Sequence, residues 1–406
     1  MIHKEYLSFE VINRPEKDLY KKILSNAKFK SLSEVVRTKV GINNFYNFSI
    51  AVKSTIILRD IILNSQFISG WARSSQVLND NDSKFGRYCF LTRGPEENKA
   101  WIKMMEKFEA EGHSMDNMRS LIYLDSVGDY AFNIDILNML YLTIILDSIY
   151  ENLDTNDLKD EIAYFLSKFN DLLKEYEIDY KEYYDMLPFA INNFPAINAK
   201  LNSNLYDITH EKVYTINATY SVCGQLWRHR TLVKKYSSKS YAELVEQCKI
   251  LTNRYNYFTI GMHAAIENAV KKITLEAKSV YDLCQGTIMP LEFSGTTGAI
   301  HKALSQRTCF INDSPQFKDA FADFVKLHPE NEFALLPPCK LNCTSSNKCY
   351  VSYVNESRRR GEEKTQVCCP IYAKSKGYEE DFKKSIASPK ADWYINNLKY
   401  WDRLVK

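Results

Sequence analysis

Residues 213–241 read VYTINATYSVCGQLWRHRTLVKKYSSKSY, and the prediction of the fold starts from this stretch. It opens with the apolar–polar alternation typical of a β-strand. It then reaches three adjacent basic residues, Arg228, His229 and Arg230. Two guanidinium groups beside an imidazole favour anion binding, because arginine presents a rigid fork of donors to phosphate. A basic cluster is more often a solvated turn, so the surrounding residues decide between the two interpretations.

Those surroundings resemble the signature of the flavin-dependent thymidylate synthases, Gln-x-x-Arg-His-Arg-x-x-Ser-x-Asn-Glu-x-Ser-x-Arg-Tyr. The chain matches it without a gap at Gln225, Arg228, His229, Arg230, Ser238 and Tyr241. It departs from the signature at Val233, Lys235, Tyr236 and Ser240. The resemblance implies an enzyme that transfers a one-carbon unit, methyl or hydroxymethyl, to C5 of a pyrimidine nucleotide such as dUMP.

The departures leave two other functions open. One is a catalytically decayed relative that binds nucleotide or flavin without turnover, which the replacement of Asn-Glu by Lys235 and Tyr236 favours. The other is a non-enzymatic structural protein with a basic turn, which predicts that no flavin is bound.

The resemblance also implies a site and its ligands. The residues implied to line FAD are Arg228, His229, Arg230 and, near the family's Glu-His position, His210. The residues implied to contact the nucleotide are Gln225, Ser238 and Arg307. NADPH and methylenetetrahydrofolate are the implied cosubstrates. No catalytic nucleophile is implied, because the flavin carries the redox step and the protein supplies position and electrostatics.

The order of segments predicts a divergent tandem duplication. The predicted fold is α+β, with two halves similar to that family, each a long-stranded antiparallel sheet packed with helices. An apolar run followed by a tryptophan and an arginine occurs twice, with Trp71 and Arg73 in the first copy and Trp227 and Arg230 in the second. The alternative is chance similarity between apolar runs. The predicted boundaries are 1–150 for the first half, 151–200 for a helical linker, 201–335 for the second half and 336–406 for a cysteine-containing tail.

A duplicated chain predicts a composite site. The first half keeps Arg73, Arg87 and Arg119, which we expect to face the basic segment of the second half and to contact the same nucleotide. A phosphate needs convergent positive charge, so one ligand per chain is expected. The resemblance implies a homotetramer, and a chain with two fused halves is therefore expected to form a homodimer.

Composition bounds the remaining classes. With 406 residues, 45% of them hydrophobic, the chain can bury a large core, and a net charge of +3 argues against an extended nucleic-acid surface. No apolar run is long enough to span a bilayer, and the opening lacks a signal pattern, so a cytoplasmic protein is expected. No metal site is expected. The open alternative is structural zinc on a thiolate cluster in the tail, Cys339, Cys343, Cys349 and Cys368.

Overall fold

The computed structural model describes residues 2–16, 22, 25, 47–63, 68–73, 85, 88–113, 118–153, 156–186, 212–227, 232–238, 240–254, 264–307 and 317–328. This part of the chain holds two antiparallel sheets and nine α-helices. The predicted α+β class is confirmed. Within the same residues, no helix is long and apolar enough to cross a membrane.

The first sheet is built from residues before position 136. Its strands are β1 Ser8–Asn13, β2 Asn47–Thr55, β3 Ile68–Arg73, β4 Cys89–Phe90 and β5 Ser126–Asp135. They run in the order β1-β2-β5-β3, with β4 also paired to β5. The helices of this region are α1 Ile56–Leu63, α2 Pro95–Ala110, α3 Ile136–Asn152 and α4 Asn156–Lys174.

Side-chain alternation buries one face of this sheet under α4. On β2, Phe48, Ile50 and Val52 are buried while Lys53 is exposed, as a period of two requires. The ring of Phe169 on α4 packs edge-on against Phe9 of β1, with centroids 5.1 Å apart. The sequence predicts an amphipathic helix here, and this is confirmed. Its buried face consists of Leu158, Ile162, Phe165, Phe169 and Leu172.

Helix α3 begins directly at the end of β5, in the apolar run of residues 134–146, for which the sequence predicts a buried helix. The carboxylate of Asp135 accepts a hydrogen bond from the backbone N–H of Asn138 at 2.9 Å, which caps the first turn. The apolar residues that follow are largely buried, so the segment that comes nearest to a membrane span in the sequence is part of the core.

The second sheet lies in residues after position 213. Its strands are β6 Tyr214–Thr219, β7 Val233–Tyr236 and β8 Ile288–Ser294, in the order β6-β8-β7. The helices around it are α5 Tyr220–Trp227, α6 Tyr241–Arg254, α7 Ala264–Glu276, α8 Thr297–Arg307 and α9 Lys318–Leu327. The sequence of residues 241–284 predicts helices, and α6 and α7 confirm this over their own ranges.

The two sheets share an order of elements. In each, the last strand lies between two earlier ones: β5 between β2 and β3, and β8 between β6 and β7. Strands β2 and β6 end at Thr55 and Thr219, and each is followed at once by an eight-residue helix. Opposite these threonines lie Val127 and Ile288, the second residue of β5 and the first of β8.

The two sheet regions meet at a reciprocal pair of hydrogen bonds. The N–H of Leu124 donates to the carbonyl of Leu283, and the N–H of Gln285 donates to the carbonyl of Ile122, both at 2.9 Å. These residues lie in matching positions of the two regions. Ile122 and Leu124 follow the 3-10 turn Arg119–Leu121 and precede β5. Leu283 and Gln285 follow the 3-10 turn Val280–Asp282 and precede β8. The junction therefore has local two-fold character.

Candidate functional site

The signature residues lie along one helix–strand–helix unit of the second sheet. Gln225 is on α5, three residues before Arg228, and β7 begins at Val233. Ser238 follows β7, and Tyr241 is the first residue of α6. Five predicted site residues lie outside the described part of the chain: Arg87, His210, Arg228, His229 and Arg230. For Gln225 the helix is described but the side chain is not.

Ser238 has a defined environment. It is buried, and its hydroxyl donates to the side-chain carbonyl of Gln247 on α6 at 3.0 Å. The amide of Gln247 donates in turn to the carboxylate of Glu243 at 3.1 Å. The serine is therefore tied to α6, and the predicted contact with nucleotide would use its remaining acceptor capacity.

Each of three departures from the signature has a structural role. Ser240, where the family has arginine, accepts a hydrogen bond from the N–H of Glu243 at 3.1 Å and so caps α6. Lys235 forms a cross-strand ion pair of 3.1 Å with Glu292 on β8. Tyr236 is buried, and burial together with neighbouring Cys223 raises the pKa of its hydroxyl. Lys235, Tyr236 and Ser240 thus stabilise the sheet and α6, at positions where the family motif has Asn, Glu and Arg respectively.

Helix α5 is held by the first half of the chain. The hydroxyl of Tyr220, its first residue, is 2.9 Å from the carboxylate of Asp60 on α1. The guanidinium of Arg59 donates to the other carboxylate oxygen of Asp60 from Nε at 3.2 Å and Nη2 at 3.0 Å. All three side chains are buried. Burial disfavours the charge on Arg59, but the Asp60 carboxylate together with Tyr220 and Tyr130 raises the pKa of the guanidinium overall.

Of the predicted arginines of the first half, the structure describes Arg73 in a strand and Arg119 in a turn. Arg73 is the last residue of β3 and pairs with Tyr130 of β5. Tyr130 lies three residues after Val127, the partner of Thr55. In the second sheet, the equivalent position is Leu291, three residues after Ile288, and its partner is Tyr236 of β7. The pairing thus matches Arg73 to Tyr236, whereas the sequence comparison matched it to Arg230. The duplication itself stays a prediction.

Arg119 and Arg307 are the other two predicted arginines that the structure describes, and each is a terminal residue of its helical element. Arg119 is half-buried and starts the turn Arg119–Leu121, so its counterpart in the second half is Val280. Arg307 is the last residue of α8, and its side chain is not described. Convergence of these arginines with residues 228–230 stays a prediction.

Sequence reasoning missed two buried polar clusters that join the halves. In the first, Glu161 on α4 accepts hydrogen bonds from the N–H and hydroxyl of Thr55 at 2.8 and 2.7 Å, and it also contacts the hydroxyl of Tyr281. Burial raises the pKa of Glu161 to about 7 despite these donors. A signal was present in the sequence, because Glu161 lies three residues after buried Leu158 on the apolar face of α4.

The second cluster surrounds Arg93. Its guanidinium is 2.5 Å from the buried carboxylate of Asp125 and 3.3 Å from that of Asp282 in the second half. It also lies 3.6 Å from the ring centroid of Tyr123, a cation–π geometry. Burial raises the pKa of Asp125 although Arg93 opposes the shift. Loss of either partner would leave a buried charge unpaired, so the Arg93–Asp125 pair contributes, through the contact with Asp282, to how the two sheet regions meet.

No metal centre is found among the described residues. They contain no group of three or more histidine, cysteine, aspartate or glutamate side chains placed to hold an ion. The cysteines of the alternative zinc site, Cys339, Cys343, Cys349 and Cys368, lie outside these residues. Burial raises the pKa of the described thiol Cys284 to about 11, which suits a structural role more than a nucleophile.

The chain is similar in structure to known proteins, although neither a family model nor a curated sequence matches it. Among solved structures, it is similar to a UMP/dUMP methylase, PolB from Streptomyces cacaoi, in a crystal structure bound with 5-Br UMP. The identity is 8% and the TM-score 0.29, over 42% of this chain and 89% of that chain. Similarity at this level carries no argument about this chain.

Proposed function

We propose that the chain is a divergent relative of the flavin-dependent thymidylate synthases that binds a pyrimidine nucleotide and modifies it at C5. The observation that carries the proposal is the signature from Gln225 to Tyr241, whose spacing is kept across an ordered unit of α5, β7 and the start of α6. Arg228 and Arg230 would supply charge-assisted hydrogen bonds to phosphate, and His229 would lie between them.

FAD is the proposed cofactor, with NADPH and methylenetetrahydrofolate as cosubstrates. A bound flavin would supply the redox step, and the chain's own residues would hold the nucleotide and exclude water from it. Because the proposed flavin contacts, residues 228–230 and His210, lie outside the described residues, their fit to FAD is part of the proposal.

We propose in addition that the two halves arose by duplication and that their arginines form a composite site. The shared strand order and the reciprocal hydrogen bonds of Leu124 and Gln285 support duplication. In this arrangement Arg73, Arg87 and Arg119 of the first half would complete the binding site of the second. One nucleotide per chain is expected in calorimetry, and two equivalent sites would contradict the composite arrangement.

The experiment that tests the proposal is ligand binding by the purified chain and a matched pair of variants. Bound flavin gives a yellow protein with a visible absorption spectrum. We expect Arg228→Ala to weaken the affinity for FAD or dUMP by roughly 10- to 150-fold, the equivalent of losing a charge-assisted hydrogen bond. Arg254→Ala, at the exposed end of α6, is the control and should bind as the wild type does.

A wild-type chain that binds neither FAD nor dUMP would contradict the proposal. An equal loss of melting temperature in Arg228→Ala with and without ligand would instead indicate a structural arginine.

A second function is favoured by the roles of Lys235, Tyr236 and Ser240. These residues occupy signature positions yet serve an ion pair, core packing and a helix cap. A chain that binds nucleotide or flavin without turnover fits that observation. It predicts a binding isotherm for dUMP and no methylated product with the full set of cosubstrates.

A further inference from the structure

Helix α5 places the signature, and it is too short to be held by its own hydrogen bonds. It has eight residues, Tyr220–Trp227, and Arg228 follows directly. An isolated helix shorter than about 12 residues is marginal in water, so packing must fix the position of α5. Whatever holds this helix therefore sets where Gln225 lies and where the chain leaves α5 before the basic segment.

The first turn of α5 is anchored to its own sheet by backbone bonds. The N–H of Tyr220 donates to the carbonyl of Thr287 at 2.9 Å, and the N–H of Ser221 donates to that of Gln285 at 3.1 Å. These bonds fix where the helix starts. They leave its rotation and tilt to side-chain contacts along its length.

A buried polar side-chain contact to α5 comes from α1 of the first half, in addition to the packing of the buried Cys223 and Leu226 in the core. The Tyr220 hydroxyl reaches one carboxylate oxygen of Asp60, at 2.9 Å, and Arg59 donates twice to the other. Four residues on from Tyr220, on the same face of α5, is Gly224. A Cβ at Gly224 would lie 3.7 Å from the same Asp60 oxygen that Tyr220 contacts, so the carboxylate lies against the helix backbone there.

We propose that Asp60 is a positioning residue for the nucleotide site. It would act through Tyr220 and the backbone at Gly224 to set the rotation of α5, and thereby the position of Gln225 on that helix. Arg59 neutralises the buried carboxylate, which makes its burial tolerable. The inference rests on the proposed function for its effect on binding, while the positioning itself is independent of any ligand.

The variant that tests this is Tyr220→Phe. It removes the hydroxyl bonded to Asp60 and keeps the ring, whereas Asp60→Asn would leave Arg59 buried without its counter-charge. The matched control is Tyr180→Phe, because Tyr180 makes the same kind of bond, from its hydroxyl to the carboxylate of Asp147 at 3.2 Å. That bond joins α3 to the 3-10 turn Tyr180–Met186, away from α5.

Two readouts are measured on the full chain, well below the melting temperature of every variant. Hydrogen exchange of the peptide covering residues 220–227 should be faster in Tyr220→Phe and unchanged in Tyr180→Phe. Titration with dUMP and FAD should show an affinity about three- to tenfold weaker in Tyr220→Phe only, the size expected for one lost hydrogen bond.

The outcomes separate the two proposals. Exchange over residues 220–227 that is unchanged in Tyr220→Phe would overturn the positioning role of Asp60. So would faster exchange with wild-type affinity, or equal affinity losses in both variants. A wild-type chain that binds no ligand would overturn the proposed function. In that case Asp60 cannot be a positioning residue for a nucleotide site, while the exchange result still decides whether it fixes α5.

Discussion

Glu161→Gln is expected to raise the stability of the protein at neutral pH. Glu161 is completely buried between α4, the end of β2 and Tyr281, and burial raises the pKa of its carboxyl to about 7 from a usual value of 4.5. Between about pH 4.5 and 7, the Glu161 carboxyl therefore keeps its proton in the folded protein and loses it in the unfolded chain. Glutamine has nearly the same shape as protonated glutamate, and its side chain is neutral at every pH in this range.

The sign and size follow from linkage. Because the folded pKa is the higher one, the favourable contribution is complete below about pH 4.5 and is lost as pH rises through about 7. At 1.36 kcal/mol per pKa unit, the full change is about 3 kcal/mol. We expect the unfolding free energy of Glu161→Gln, relative to wild type, to increase by that amount between pH 4.5 and 8.

Urea unfolding of both proteins at several pH values measures this difference. Buried carboxyls that are not coupled to Glu161, such as Asp135, contribute equally to both proteins and cancel. The control is Glu276→Gln on the exposed surface of α7, which should show no pH-dependent difference. A constant difference between wild type and Glu161→Gln from pH 4.5 to 8 would refute the reasoning.

Other substitutions test the packing and capping described above. Gly286→Ala should destabilise by about 1–3 kcal/mol, because its Cβ would come within 2.9 Å of the Cβ of Ser120 at the junction of the halves. Gly298→Ala, where nothing lies within 4 Å, is the control in thermal unfolding and should cost nothing comparable. Ser240→Ala should lower the unfolding free energy by about 1 kcal/mol through loss of the α6 cap, and replacement by threonine should restore most of it. Trp101→Phe should cost about 1–3 kcal/mol in urea unfolding, because the indole N–H donates at 2.9 Å to a buried backbone carbonyl, and an unchanged midpoint would contradict that bond.

Local patterns in the sequence were sufficient for the class of fold and for several elements. The spacing of Leu158, Ile162 and Phe165 predicts α4 and its buried face, because burial of one helical face requires that period. The apolar run after Asp135 similarly predicts a buried helix. The signature from Gln225 to Tyr241 gave the candidate site by resemblance. The structure describes its flanking elements, and its basic residues lie outside the described part of the chain.

Tertiary structure alone decided how the halves meet and which signature positions are used for packing. The register that matches Arg73 to Tyr236 depends on strand pairing between residues far apart in the chain, which no local pattern encodes. The contacts of Asp60 with Tyr220, and of Glu161 with Tyr281, likewise join side chains more than a hundred residues apart. Burial makes such polar pairs matter energetically, and burial of a charged side chain is fixed by the packing around it.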